Sequence, residues 1–218
     1  MGLTEYRALL IDCDEVLVDR DAGVWAALQP LMGGCANGPD REQALTRFHE
    51  IIVALYPRFD ELGFSGLLCF AHRQLAERLG ARSSFEEDMT FARTVGNWTL
   101  FEDAPGAMLY LRKFYHLLVC VDRDAEERGV LAQRLGLAAE NLVSLAGNRA
   151  QCMKALGELD IDPADTLLLT RSPNRALAGS GLCYITRGRA EPHEACPVEY
   201  CISSMADLVR QHQLSLRR

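Results

Sequence analysis

A doubly wound α/β fold, a parallel sheet interrupted by an inserted α-helical domain, is predicted by three observations. An apolar run, Ala8 to Ile11, near the start of the chain is short enough for a strand buried on both faces. Roughly eighty residues then carry only helical spacing. From Phe101 onward, strand-like and helix-like segments alternate, the pattern of a parallel sheet with helices on its faces.

The helical stretch opens with Val24-Trp25-Ala26-Ala27-Leu28 and breaks at the Gly-rich Gly33–Asp40 segment. Asp40 is a candidate N-cap for a helix through Ala44, Phe48, Ile51 and Leu55, and Pro57 ends it. A second helix reads Leu67, Leu68, Ala71, Leu75 and Leu79 and closes at Gly80. Ser83 or Ser84, followed by Glu86 and Glu87, opens a third through Met89 and Phe91. The alternating part has a helix from Ala107 to Leu111, a strand from His116 to Val121, a helix from Glu126 to Leu135 and a short strand from Asn141 to Leu145. A helix from Ala150 to Leu159 and strands at Thr166–Thr170, Gly181–Ile185 and Tyr200–Ile202 follow, with Ser203 or Ser204 capping a last helix. The domains expected are 1–19 with 99–218 for the sheet, and 20–98 for the helical cap.

Composition narrows the function. The chain has 218 residues, 49% hydrophobic, enough for a sizeable core. A net charge of −7 argues against nucleic acid as the main partner, because phosphate contacts need a basic surface. No apolar run is long enough to cross a bilayer, so no membrane partner is expected. The N-terminus lacks the basic and apolar regions of a signal peptide, and none of the eight cysteines is spaced Cys-x-x-Cys. A cytoplasmic protein with reduced thiols is the expectation.

The chemistry concentrates at Ile11-Asp12-Cys13-Asp14-Glu15-Val16-Leu17-Val18-Asp19. Asp12 and Asp14 sit one residue apart at the carboxyl end of the first strand, the edge where open α/β sheets bind ligands. One carboxylate at such a place can act as a nucleophile while its neighbour handles a proton, and the pair offers hard oxygen ligands to a divalent cation. The helical insertion leaves the sheet directly after this turn, which suits a lid.

At these residues the chain resembles the haloacid dehalogenase (HAD) superfamily, whose first motif is a strand followed by Asp-x-Asp-x-Thr/Val and then Leu. Asp12, Asp14, Val16, Leu17 and Asp19 match, while Glu15 stands where a small Gly is usual. Gly96–Ala107, Val121–Asp124 and Leu159–Leu169 are similar to the family's cap return, second-motif loop and fourth-motif lead-in. The resemblance implies a Rossmann-like core with a helical cap between the first two motifs. It also implies an Asp12 nucleophile, an Asp14 acid–base and Mg²⁺ held by Asp12 and Asp14.

Beyond the first motif the match weakens. The second-motif hydroxyl falls on Val119 or Cys120, the third-motif Lys falls near Ala146, and the fourth-motif stretch Thr170-Arg171-Ser172-Pro173-Asn174-Arg175 has arginines in place of acids. Two carboxylates alone would hold Mg²⁺ weakly. The substrate-binding residues expected are therefore Cys120, Arg149 and Arg171, with Arg171 paired to Asp12 or Asp14 or gripping an anion. The implied activity is hydrolysis of a small anionic substrate, a phosphate ester ahead of a haloacid, by a monomer or homodimer. The alternative is a HAD-fold protein that binds or regulates without catalysis.

Overall fold

The computed structural model describes residues 2–34, 38–144, 150–172, 177–188 and 198–217. The chain divides into two compact units. One comprises Met1–Val18, Leu100–Asp122 and Arg128–Arg218; the other comprises Asp19–Thr99 together with Arg123–Glu127.

The first unit is built on six parallel strands in the order β3-β2-β1-β4-β5-β6. They are β1 (Ala8–Asp12), β2 (His116–Cys120), β3 (Leu142–Val143), β4 (Thr166–Thr170), β5 (Gly181–Ile185) and β6 (Tyr200–Ile202). All five residues of β1 and of β4 are buried, which is why both read as unbroken apolar runs rather than alternating ones. The chain builds outward from β1 to β3 on one side and then returns to lay β4 on the other. The connection therefore reverses between β1 and β4, and a crevice opens at such a reversal outside the carboxyl ends of the strands. Asp12 and Thr170 are the last residues of those two strands.

Helices α5 (Ala104–Leu111), α6 (Ala125–Leu135), α7 (Ala150–Glu158) and α8 (Met205–Ser215) accompany the strands. Ser204 caps α8 by accepting from the Asp207 amide at 3.1 Å. One layer of the core joins Leu10, Leu118 and Leu168 of the sheet to Cys152 and Leu156 of α7. Gly181 opens β5 where a Cβ atom would collide with the Tyr6 ring, so the closeness of the two requires glycine.

The second unit carries α1 (Arg20–Gly33), α2 (Arg41–Leu55), α3 (Phe59–Arg78) and α4 (Phe85–Arg93). Asp19 and Asp40 accept amide hydrogens at the starts of α1 and α2, each at 2.9 Å. Ser84 and Glu87 form a capping box on α4. Gly63, at φ 66°, breaks α3, and the Asp124 carboxylate caps the restart by accepting from the Phe64 and Ser65 amides at 3.3 and 3.2 Å. The core of this unit contains a fully buried carboxylate, Asp88. Burial alone would raise its pKa, but hydrogen bonds from His72 (2.7 Å), Ser83 (2.6 Å) and Arg73 (2.8 Å) outweigh that and hold the carboxyl below its ordinary range.

His212 on α8 is buried among the rings of Tyr110, Phe114 and Tyr115. Desolvation lowers its pKa. Below about pH 6.5 the unfolded chain takes up a proton that the folded ring resists, so stability should fall as the solution is acidified through that value. Thermal midpoints measured across this window should decline with falling pH, and His212→Gln should flatten that part of the profile.

Candidate active site at the carboxyl ends of β1 and β4

The six residues after β1, Cys13 to Val18, make a single tight turn. The Cys13 carbonyl accepts from the Leu17 and Val18 amides at 2.9 and 3.0 Å, and the Glu15 amide donates to the Val18 carbonyl at 2.8 Å. The returning chain seals the turn: the Phe101 amide donates to the Leu17 carbonyl at 2.9 Å. Arg187, just past β5, reaches back under it. Its Nε donates to the Val16 carbonyl at 3.1 Å, and its Nη1 pairs with Asp103 at 2.7 Å. Its guanidinium lies 4.1 Å from the Phe101 ring centre. The Arg187 and Asp103 side chains are 7% and 19% exposed, so this clamp is mostly shielded from water and fixes the turn that carries Asp14.

Asp12 is 7% exposed. The Thr170 hydroxyl donates to its Oδ2 at 2.5 Å, and the Ser172 amide donates to Thr170 Oγ1 at 2.9 Å. The two strands place these groups side by side, because Ile11 pairs with Leu169 and the next step in register brings Asp12 level with Thr170. A carboxylate held on one oxygen by a neutral donor has a set orientation. Asp14, two residues on, is partly exposed. At the end of the neighbouring strand, Asp122 accepts from Ser144 at 3.1 Å.

Glu15 occupies an unusual place. Its φ is 66°, in the left-handed region that glycine adopts freely, and the conformation costs about 1 kcal/mol for another residue. Its carboxylate pairs with Arg171 Nη1 at 3.0 Å, with side-chain exposures of 12% and 14%. Arg171 therefore binds Glu15, where Asp12 or Asp14 was the expected partner. Consecutive residues of the β4 end, Thr170 and Arg171, are thus tied to the two ends of the Asp12–Glu15 segment.

The other expected positions fare differently. Cys120 is 1% exposed within the core, with its sulfur 3.5 Å from that of Cys152. It is level with Asp12 across the β1–β2 pair, but its side chain packs into the apolar layer. Arg149 and Ala146 lie outside the described residues. Lys154 is a solvated surface residue, 3.7 Å from Glu158 on the same helix. Thr170, Arg187 and Asp103 were not singled out by sequence. Thr170 had a readable signal, a hydroxyl at the end of a buried strand, whereas Arg187 and Asp103 are joined only by the folded chain.

The donor set does not suit Mg²⁺. Asp12 is engaged by Thr170, the β4 end supplies a guanidinium in place of a third carboxylate, and no group of three or more His, Cys, Asp or Glu side chains converges among the described residues. With Asp12 and Asp14 as its carboxylates among the described residues, such a cation would be held weakly.

Solved structures place this geometry among known folds. The chain superposes on the defluorinating L-2-haloacid dehalogenase Rha0230 with a TM-score of 0.73 and 15% identity, covering 97% of this chain and 98% of that one. The fold is that of the haloacid dehalogenase superfamily. The L-2-haloacid dehalogenase of Xanthobacter autotrophicus gives a TM-score of 0.73 at 14% identity, covering 95% of this chain and 98% of that one. A HAD-hydrolase, YfnB of Bacillus subtilis, solved bound to magnesium, gives 0.67 at 16% identity, covering 94% and 98%. No protein-family model and no curated protein matches the sequence. At these identities the HAD fold is what is shared.

Removing the Glu15 carboxylate strands a mostly buried guanidinium. Glu15→Ala should lower the unfolding free energy by about 3 kcal/mol, measured by denaturant titration. Glu15→Gly should lower it by about 1 kcal/mol less, because glycine relieves the left-handed backbone.

Proposed function

We propose that this chain is a HAD-type hydrolase in which Asp12 is the nucleophile toward a small anionic substrate. The observation that carries this reading is the placement of Asp12 at the switch point of the sheet. It is buried and oriented through one oxygen by Thr170, while Asp14 stands two residues away with access to solvent. In the first step an Asp12 oxygen attacks the electrophilic centre, the leaving group departs with its electron pair, and an aspartyl ester forms. In the second step water adds to the ester, Asp14 takes its proton and returns it to the oxygen of the departing product, and the Asp12 carboxylate is regenerated. Thr170 holds the idle oxygen of Asp12 throughout, so the attacking oxygen does not need to reorient between steps.

The ligand set also bears on the substrate. Phosphoryl transfer builds charge on three equatorial oxygens and draws most of its stabilisation from cations placed around them. Displacement at a carbon beside a carboxylate asks less, since the substrate carries one anionic group away from the reacting atom. With Mg²⁺ held weakly by the described residues, displacement at carbon, as in 2-haloacids, is the reading we favour over a phosphate ester. Asp14, a proton-transfer partner suited to an oxygen leaving group, supports the phosphate ester as the second reading.

Turnover of a panel of 2-haloacids and phosphate monoesters, followed by halide and phosphate release, separates the two. Asp12→Asn should abolish whichever activity appears. With a 2-haloacid, turnover in heavy-oxygen water should label the peptide that contains Asp12, since that ester is opened by water attack at the carboxyl carbon, whereas an aspartyl phosphate is opened at phosphorus and the label goes to the released phosphate. Full activity in Asp12→Asn, or an unlabelled peptide after many turnovers of a 2-haloacid, would remove Asp12 as the nucleophile.

A further inference from the structure

Three carboxylates, Asp12, Asp14 and Glu15, fall within four consecutive residues at the edge of the sheet. A dication is the usual answer to such a density of negative charge, and oxygen ligands are its preferred partners. Here the structure supplies another answer. Arg171 leaves the end of β4 directly after the threonine that binds Asp12, and its guanidinium ends on Glu15 at 3.0 Å. The pair is largely shielded from water, so its charges act with less screening than at the surface. Glu15 holds this position in spite of a backbone conformation that favours glycine.

We propose that the Glu15–Arg171 ion pair is a built-in substitute for a divalent cation: Arg171 carries the positive charge of the Asp12–Asp14 edge, Glu15 positions it, and together they keep a dication out. The inference rests on the reading of Asp12 as the reacting carboxylate, but it concerns charge and ligation and can be tested without turnover. A guanidinium is a fixed cation that cannot be lost to chelators, and its planar donors match carboxylate geometry. Its single charge offsets that of Glu15, so the segment attracts a dication less strongly than three unbalanced carboxylates would.

The test is Mn²⁺ binding to the purified full chain, with free ion followed by electron paramagnetic resonance. The natural protein should hold Mn²⁺ no more tightly than its Asp14→Asn variant does. Arg171→Gln removes the positive charge and leaves the carboxylates of this segment in place. It should bind Mn²⁺ about tenfold more tightly or better, and Asp14→Asn added to it should abolish the gain. Arg171→Lys keeps the charge and should show no gain. Arg171→Met serves as a second neutral variant, and thermal unfolding confirms that each variant is folded before it is titrated. Mn²⁺ binding by the natural protein that is lost in Asp14→Asn would overturn the proposal, as would folded Arg171→Gln and Arg171→Met variants that gain nothing. These outcomes are independent of the Asp12→Asn turnover experiment, so the failure of either reading is visible by itself.

Discussion

The pairing of β1 with β4 is the constraint on which the site depends. It runs from Ala8 opposite Thr166 to Ile11 opposite Leu169, through side chains that are all buried. A slip of one residue would turn each strand's side chains to the opposite face of the sheet. It would also move Thr170 away from Asp12. The hydrogen bond between them is thus set by the packing of a whole strand pair, and the apolar core below holds the polar groups above in place.

Around that axis the loop after β1 is held by contacts from three separate segments. The chain returning at Phe101 pairs with Leu17, Arg187 from the end of β5 grips Val16, and Arg171 from the end of β4 grips Glu15. Each comes from a part of the sequence far from residues 13–18. The turn makes only a few hydrogen bonds of its own, so its shape is imposed by tertiary contacts. Asp14, carried on this turn, is thereby held in a fixed place beside the end of β1.

Much of the fold was legible in the sequence because burial on both faces leaves a plain mark. The runs at Ala8–Ile11 and Thr166–Thr170 can satisfy their side chains only inside a sheet, and they lie there as β1 and β4. Asp40, one of Ser83 and Ser84, and one of Ser203 and Ser204 read as caps because a short polar side chain before an apolar period has few other uses, and Asp40, Ser84 and Ser204 each accept an amide hydrogen at a helix start. The site was legible only in its local part. Asp12 and Asp14 follow from position along the chain, whereas the partner of Arg171 does not. A guanidinium near three acids has no sequence rule to choose among them, and the left-handed turn at Glu15 decides by swinging that carboxylate toward β4. The surroundings of Cys120 are another example. Its level on the strand matches Asp12, but level does not say which face a side chain takes, and the thiol lies in the apolar layer beside Cys152.

The Glu15–Arg171 pair also constrains how this sequence can vary. Arginine at 171 with glycine at 15 leaves a guanidinium shut away from water beside no counter-ion, and glutamate at 15 with a neutral residue at 171 piles unbalanced acid onto a strained turn. Either single exchange passes through a less stable protein, while the double exchange does not. The two positions lie 156 residues apart and are expected to drift together, so that the tolerance of one site to change is written at the other.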